Sequence, residues 1–432
     1  MKYTEKELVE KTKKYSTPLP GFTPLVMEEA KGSIVKDING KEYIDGISIC
    51  AGPATVGSAH PKVVNAVIEQ VKKLPGASPW CINIPRVELA EKLSKILPPG
   101  LNKFHFFCGG GEAVEFAIRT AIRSSKKKEV IGLYTAYHGT SLGLLSLGGT
   151  WNRKGLPIVP GFRQIPPAYC YRCFYEKEYP KCDLECAKAL ESIIQYGSYQ
   201  DVAVFILEPM MGVGGHVIPP KEYFKIMREI CDNCQVLLIF DEIQTGFGRT
   251  GKMWAADYYD VNPDIMVIGK AMGGGIPVSA AIFREGMVLP PEEEAESLNT
   301  FSGSALACAA ASAVVDIVIE ENLSQKATET GAFMMERLKE IEDKHPLIGD
   351  IRGAGLFIGV ELVKDRKTKE RATQEAKRVV EECRKRGVLL MLSYNGKGNV
   401  VKIKPPLNIE KNLAEKIVDV LDESLGVVER NI

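Results

Sequence analysis

The chain has 432 residues, 45% of them hydrophobic and 25% charged, and its 55 Lys and Arg residues balance its 55 Asp and Glu residues. This composition is typical of a globular chain long enough for two domains. A net charge near zero excludes the long-range attraction that nucleic acids and anionic membranes exert on basic proteins. The sequence has no apolar run of about 18 residues and no secretory signal within its charged first 14 residues, so we expect a cytoplasmic protein without a membrane span.

Along the chain, the pattern changes from a short N-terminal region to helices that alternate with apolar strands. Residues 1–20 are polar and predict a helix that leads to a proline-rich turn, and residues 33–50 alternate around an Asn-Gly turn, which predicts a hairpin. Helical stretches such as Ala113–Arg123 and Lys221–Asn233 then separate short apolar runs. The predicted strands are Phe104–Phe107, Val130–Tyr134, Val202–Leu207, Val236–Phe240, Ile265–Ile268 and Ser279–Phe283.

The C-terminal part predicts a second, smaller unit. Its elements are a helix-rich segment at 304–344, strands at Leu356–Leu362 and Val400–Ile403, and helices at Thr373–Arg386 and Leu413–Leu425. We therefore expect an α/β fold with a large domain over residues 55–320 built on a mostly parallel sheet. Residues 1–54 and 321–432 are expected to form a smaller α+β domain from both termini.

A run of three glycines joins the first predicted strand to a helix. The sequence Phe104-His-Phe-Phe-Cys-Gly-Gly-Gly-Glu112 continues into Ala113–Arg123. Glycines let backbone N–H groups approach a phosphate closely, and the start of a helix adds a positive dipole. The run indicates either a phosphate-binding turn or a tight turn without a ligand, and it matches neither a dinucleotide fingerprint nor a P-loop.

Two further strands are followed by residues that carry chemistry. Asp241 follows a buried strand, where α/β sheets place ligands, and its carboxylate can pair with a protonated ring nitrogen, cap a helix or bind a metal. Lys270 follows Ile265–Ile268 among small residues, where desolvation lowers the pKa of an amine and allows it to form an imine. An imine-forming lysine, a carboxylate at a ring nitrogen and a phosphate cradle are the groups that pyridoxal 5′-phosphate (PLP) requires.

The stretch Leu238–Gly251, followed by Pro263-Asp264 and Gly269-Lys270, closely resembles the signature of class III aminotransferases. The resemblance extends over nearly the whole chain. It implies the PLP-dependent transferase fold of type I, and an active site that the two subunits of at least a homodimer share.

By position, the resemblance implies roles for individual residues. The implied catalytic residues are Lys270, which forms a Schiff base with PLP and then moves protons, Asp241, the partner of the pyridine nitrogen, and Tyr137, which stacks on the ring. The further implied cofactor contacts are Gly110 and Gly111 at the phosphate, His138 beside Tyr137, Glu208 near the ring, Ile243 behind it, Gln244 at the ring hydroxyl, and Thr300, which reaches the phosphate of the neighbouring subunit.

Three positions depart from the pattern of the family. The glycine run Gly109–Gly111 lacks the hydroxyl residue that many members place at the phosphate. Lys402 stands where many members carry an arginine that clamps a substrate carboxylate, and Val213 stands where glutamate-using members carry a glutamate that pairs with that arginine. A lysine cannot form the two-pronged hydrogen bond of an arginine, so we expect pyruvate to be favoured over 2-oxoglutarate as the keto acid.

Four cysteines lie close together in the sequence outside these motifs. They are Cys170, Cys173, Cys182 and Cys186. The first pair has the C-x2-C spacing of metal sites, so the group can hold zinc or an iron–sulfur cluster, although the remaining spacing matches no common zinc ribbon. The alternatives are reduced thiols or a disulfide.

The sequence thus predicts a PLP-dependent aminotransferase that moves an amino group from an amino acid or an ω- or β-amine to a keto acid. Its partners are small molecules, with no nucleic acid and no membrane. A racemase, an epimerase or a decarboxylating transaminase would use the same cofactor residues and remains an alternative. A non-catalytic PLP-binding protein is a second alternative, against which the joint presence of Lys270, Asp241, Gln244 and Tyr137 argues.

Overall fold

A computed structural model of the chain describes residues 3–17, 25–149, 154–287 and 299–431, except for the side chains of residues 50, 51, 395 and 396. The strands are β1 (Met27–Lys31), β2 (Ile34–Asp37), β3 (Glu42–Asp45), β4 (Leu101–Phe107), β5 (Glu129–Leu133), β6 (Phe162–Ile165), β7 (Val202–Leu207), β8 (Leu237–Asp241), β9 (Ile265–Ile268), β10 (Ser279–Arg284), β11 (Ile348–Ala354), β12 (Phe357–Asp365), β13 (Glu370–Arg371), β14 (Val388–Leu389), β15 (Met391–Leu392) and β16 (Val400–Ile403).

Helices connect most of these strands. They are α1 (Glu5–Tyr15), α2 (Ser48–Ala51), α3 (Pro61–Lys73), α4 (Ile84–Ser94), α5 (Gly110–Ser125), α6 (Leu142–Leu147), α7 (Glu185–Tyr196), α8 (Lys221–Asn233), α9 (Ala255–Tyr259), α10 (Ala305–Glu320), α11 (Leu323–Glu342), α12 (Thr373–Lys385), α13 (Ser393–Gly396) and α14 (Lys411–Glu429). Short 3₁₀ turns lie at Cys170–Arg172 and Lys270–Gly273.

A seven-stranded sheet in the order β4-β10-β9-β8-β7-β5-β6 forms the centre of the fold. Only β10 runs antiparallel to its neighbours within this sheet, so the expected mostly parallel α/β sheet is confirmed. The strands read as continuous apolar runs because helices cover both faces. In β8, Leu238 and Phe240 enter one hydrophobic cluster with α8, whereas Ile239 enters another with α5.

Two smaller sheets lie outside this centre. One has the order β1-β2-β3-β14 and the other the order β11-β12-β16-β15, with β13 beside β12. Strand β14 pairs in parallel with β3, so Val388 lies opposite Ile44 and the N-terminal strands share a sheet with the C-terminal part of the chain. This pairing agrees with a unit built from both termini, while the bounds of the two domains stay a prediction.

Several predicted elements differ from the observed ones in detail. The hairpin expected at 33–50 is the pair β2 and β3, which α2 follows, and the helix expected within 1–20 is α1. The proline-rich turn after it lies outside the described residues. Strand β11 carries no clear apolar alternation and was not predicted. Among the described helices, none combines the length and the apolar character needed to cross a membrane.

Candidate active site

A cavity of about 390 Å³ opens where the central strands end. Apart from Pro53, its lining comes from the ends of β4, β5, β7, β8 and β9 and the segments that follow them, because parallel strands bring their carboxyl ends to one edge of a sheet. Nine of the predicted site residues meet here: Gly110, Gly111, Tyr137, His138, Glu208, Asp241, Ile243, Gln244 and Lys270.

Asp241, the last residue of β8, is 4% exposed and is held by a histidine. Its Oδ2 lies 2.7 Å from Nδ1 of the buried His138, and its Oδ1 accepts the backbone N–H of Ile243 at 3.2 Å. Nε2 of His138 is buried without a hydrogen-bond partner among the described residues. The contacts fix the carboxylate at the cavity, where it can hold a proton on a bound base.

Lys270 begins the 3₁₀ turn after β9 and has a left-handed backbone conformation, with φ of +42°. Burial lowers the pKa of its amine, and the carboxylates of Asp241 and Glu208 only partly oppose that effect. A larger fraction of the amine is therefore uncharged and nucleophilic than in a solvated lysine.

Glu208 is a buried carboxylate that ties two loops together behind the cavity. Its Oε1 accepts the N–H of Tyr137 at 2.9 Å, and its Oε2 accepts the N–H of Gly212 at 2.9 Å. Burial raises the pKa of Glu208, and the nearby Asp241 raises it further. Burial also raises the pKa of the Tyr137 hydroxyl, so the aromatic ring at the cavity stays neutral.

The glycine run predicted to bind phosphate starts the 16-residue helix α5. A Cβ added at Gly110 would lie 2.7 Å from Cδ1 of Ile243, which also lines the cavity. Gly139, on the facing loop, has φ of +139°, and a Cβ there would lie 2.7 Å from Cδ1 of Leu144. Backbone thus approaches this part of the cavity closely, as a phosphate cradle at a helix start requires.

These residues fit PLP. One cavity brings together an amine of lowered pKa, a carboxylate fixed by a histidine, a side-chain amide, an aromatic ring and an open helix start. The buried, unpartnered Nε2 of His138 indicates that this environment is polar and incomplete in the protein alone.

Lys402 and Val213 lie near the cavity but outside its lining. Lys402, in β16, is 5% exposed, and its side-chain amine makes no hydrogen bond or ion pair with any described residue. Burial, together with the charge of Lys270 and against the opposing charge of Glu208, lowers its pKa to about 8. Val213 is buried, and its carbonyl accepts the N–H of Tyr394 at 2.9 Å.

Thr300 lies outside the lining of this cavity and is exposed on its own chain. The adjoining segment packs at the same edge: Asn299 Nδ2 donates to Glu112 Oε1 at 2.6 Å, and Cys108 Sγ lies 3.8 Å from the carbonyl oxygen of Phe301. The expected contribution of Thr300 to a neighbouring subunit stays a prediction.

The zinc or iron–sulfur alternative at the four cysteines has no support in the part of the chain that the structure describes. No group of three or more His, Cys, Asp or Glu there is arranged to hold a metal ion, and the four thiols are free. Burial raises the pKa of Cys170 to about 11 and that of Cys186 to about 12, so without a metal these two thiols are protonated.

The segment that carries these cysteines, residues 169–186 and here called the cysteine insert, docks through a different residue. Glu361 of β12 is 0% exposed and accepts hydrogen bonds from Tyr169 and Arg172 of the insert. Arg352 donates to the same carboxylate at 3.0 Å and to the carbonyl oxygen of Gly215 at 2.7 Å. The insert is thus fixed to the small sheet and to the loop beside Val213.

Sequence reasoning missed several residues of the site. Those lining the cavity are Pro53, Cys108, Gly139, Thr140, Gly275, Ile276, Pro277 and Val278. Behind them, the buried Lys404 donates from Nζ to Oε1 of Gln244 at 2.8 Å. Its spacing from Lys402 was an available signal, because residues two apart on an extended segment point to the same side.

Comparisons with known proteins agree with this geometry. The family model described as "Aminotransferase class-III" matches residues 17–425. A leucine/methionine racemase from Thermococcus litoralis is 37% identical, covering 94% of this chain and 92% of the relative. A taurine–pyruvate aminotransferase from Bilophila wadsworthia is 33% identical, covering 100% of this chain and 99% of the relative. A solved Bacillus anthracis aminotransferase, 31% identical, matches with a TM-score of 0.91 over 98% of both chains.

Proposed function

Since the chain belongs to the class III aminotransferase family, which is PLP-dependent, we propose that it transfers an amino group from an amino acid or an ω- or β-amine to a keto acid, with pyruvate favoured. The observation that carries this proposal is the cavity in which the Lys270 amine, of lowered pKa, is set beside the carboxylate of Asp241.

Each residue around the cavity has its own proposed role. When bound, PLP supplies an electron sink for the charge left at the substrate carbon that loses a proton. Lys270 holds the cofactor and then takes up and returns that proton. Asp241, oriented by His138, keeps a proton on the ring nitrogen. The remaining proposed contacts are Tyr137 on the ring face, Ile243 behind it, Glu208 near it, Gln244 at its hydroxyl, Gly110 and Gly111 at the phosphate, and Thr300 of a second subunit.

Lys402 and Val213 support the preference for pyruvate. A dicarboxylate such as 2-oxoglutarate needs a strong partner for its second carboxylate, and Lys402 offers a point charge without the fork of an arginine. The apolar Val213 has no carboxylate, so it cannot neutralise the charge of Lys402 when a donor without a second carboxylate is bound. Losing one bidentate contact costs about 1–3 kcal/mol, or roughly 5- to 150-fold in affinity.

The test of this preference is kcat/KM for pyruvate and for 2-oxoglutarate with one shared amine donor. Pyruvate is expected to be the better acceptor. Lys402→Arg restores the fork and should raise kcat/KM for 2-oxoglutarate more than for pyruvate, whereas Lys402→Met serves as the matched variant without a charge. A clear preference of the wild type for 2-oxoglutarate would refute this part of the proposal.

Racemisation is a second candidate, because the 37% identical relative is a leucine/methionine racemase. The cofactor residues proposed above serve either reaction, since both begin with removal of a proton from the substrate carbon. Incubation with a single L-amino acid and no keto acid separates the two. A racemase accumulates the D-isomer, whereas a transaminase stops after about one turnover per active site.

An apolar surface supports the proposed homodimer. Trp80, Ile82, Ile84 and Phe301 are 74%, 85%, 72% and 65% exposed. The hydrogen bond from Asn83 Nδ2 to the carbonyl oxygen of Gly303, at 3.0 Å, brings the two segments that carry them together. Large apolar side chains clustered on a surface indicate an interface, and this one borders the cavity through Phe301 and Cys108. Light scattering coupled to size-exclusion chromatography should give twice the mass of the chain.

A further inference from the structure

Lys404 is a buried lysine fixed in place by the N-terminal part of the chain. It is 3% exposed and lies just after β16. Its backbone N–H donates to the carbonyl oxygen of Gly46 at 2.7 Å, and its own carbonyl oxygen accepts the hydroxyl of Ser48 at 2.8 Å. Both backbone groups are therefore held, so the direction in which the side chain leaves the backbone is set.

The amine of Lys404 binds one end of the Gln244 amide. Nζ donates to Oε1 of Gln244 at 2.8 Å. An amide has an acceptor end and a donor end, and the donor end of Gln244, Nε2, makes no hydrogen bond to any described residue. Because Gln244 lines the cavity, the group left for a ligand is an N–H donor.

Gly212 limits the space around the side-chain amide of Gln244. A Cβ added at Gly212 would lie 2.5–2.6 Å from the carbon, nitrogen and oxygen of the Gln244 amide. The glycine thus allows the amide to pack directly on backbone. The same Gly212 donates its N–H to Glu208, so its own position is fixed by a hydrogen bond.

We propose that Lys404 is a positioning residue, which holds Oε1 of Gln244 so that Nε2 donates to the hydroxyl oxygen of the bound PLP ring. This inference rests on the proposed function, because it assumes that PLP occupies the cavity. If the Gln244 amide were rotated so that Oε1 and Nε2 exchanged places, its oxygen would face the ring oxygen and the stabilising hydrogen bond would be lost. Lys404 is not among the residues that line the cavity, so it acts on the cofactor through Gln244.

The readout is the pH titration of the visible absorbance of the holoenzyme, which reports protonation of the bound cofactor. Lys404→Met removes the amine but keeps the length of the side chain. A weaker hydrogen bond leaves negative charge on the ring oxygen less stabilised, so the cofactor holds its titrating proton more tightly. The midpoint should rise by about one pH unit, a tenfold change in proton affinity.

Other charges near Lys404 make a double-mutant cycle necessary. They belong to Arg249, Lys270, Lys402, Glu208 and Asp45. If Lys404 acts through Gln244, Lys404→Met should cause no further shift in a Gln244→Ala background. An equal shift in both backgrounds would identify a through-space charge effect and overturn the proposal, and so would the absence of any shift in the wild-type background.

Stability and a second variant separate positioning from a structural role. Burial of methionine costs less than burial of an amine, whether neutral or charged, so Lys404→Met should not lower the melting temperature. A lower melting temperature with an unchanged midpoint would mean that Lys404 only supports the fold.

A second variant, Lys404→Gln, keeps an N–H donor and should shift the absorbance midpoint less than Lys404→Met does. A shift of the same size would contradict the inference. If the wild type bound no PLP, the proposed function itself would fail, which is a distinguishable result.

Discussion

The strand-end cavity and the cysteine insert each carry a cluster of residues with reactive side chains, but only the first brings them to a common site. Lys270, Asp241 and Glu208 lie at the ends of different strands of one sheet and meet at its edge, where burial lowers the pKa of Lys270 and raises that of Glu208. The cysteines are close in sequence, yet their free thiols form no metal-holding group among the described residues. Convergence of strand ends is thus a stronger indicator of chemistry than close spacing along the chain.

The largest effect is expected at the centre of the cavity. Lys270→Ala removes the amine that holds the cofactor and moves the proton, so turnover should fall by about 10²–10⁴-fold or more. Borohydride reduction of the wild type followed by peptide mass spectrometry should place the pyridoxyl label on Lys270. The exposed Lys154→Ala is the matched control with unchanged turnover, and a label on any other lysine would contradict the assignment.

Asp241→Asn tests the second member of the site. The variant keeps the shape of the side chain but removes the charge that holds a proton on the ring nitrogen, so kcat should fall by about 10²–10³-fold, on the scale of other preorganised electrostatic contacts. The exposed Asp260→Asn is the control, because asparagine tolerates the left-handed conformation of that residue. Near-normal turnover of the Asp241 variant would show that the carboxylate has no such role.

On the insert side of the comparison, the expected effect is on stability. Glu361→Gln leaves Arg352 and Arg172 without their buried partner, so the free energy of unfolding should fall by about 3–5 kcal/mol. Thermal or urea unfolding measures this loss against the exposed Glu178→Gln of the insert. Equal stability of the two variants would show that Glu361 does not anchor the cysteine insert.

The same anchor has a pH signature. Burial alone would raise the pKa of Glu361, but Arg352, the Tyr169 hydroxyl and Arg172 together lower it below its usual value. The stability that Glu361 contributes is therefore complete above its ordinary pKa and is lost as the pH falls through the lowered one. Acid titration of the melting temperature should show a smaller decrease for Glu361→Gln than for the wild type.

The smallest effect is expected at the cysteines themselves. Serine at the four cysteine positions, Cys170, Cys173, Cys182 and Cys186, should leave turnover within about twofold of the wild type, because free thiols outside the cavity lining take no part in catalysis. Metal analysis of anaerobically purified wild type should give far less than one zinc or cluster per chain. If the protein contained one metal per chain and unfolded when that metal was removed, the cysteines would form a structural metal site and their substitution would have a large effect instead of the smallest one.

Much of the fold and of the cavity could be predicted because the signals are local. Apolar runs such as Val202–Leu207 and Ile265–Ile268 are strands buried on both faces, and the residues after them line the cavity. Strand direction is not local: nothing in the composition of Ser279–Phe283 distinguishes the antiparallel β10 from its parallel neighbours.

The features that were missed depend on contacts between distant parts of the chain. Lys404 meets Gln244 across 160 residues, and Tyr169 meets Glu361 across 192. No periodicity or spacing within either segment specifies such a pair. The contribution of Thr300 depends on a second chain, so neither the sequence pattern nor one subunit tests it.

The pairing of β3 with β14 has a consequence for how the protein is made. Lys41 Nζ donates to the carbonyl oxygen of Lys385, 344 residues further along the chain, beside that pairing. At a synthesis rate of about 5–20 residues per second, the N-terminal strands leave the ribosome roughly 20–70 s before their partner exists. During that interval the edge of β3 has unsatisfied backbone groups that can pair with another nascent chain. Slow synthesis or a premature stop before residue 388 therefore exposes this protein to aggregation, even though its central sheet is already complete.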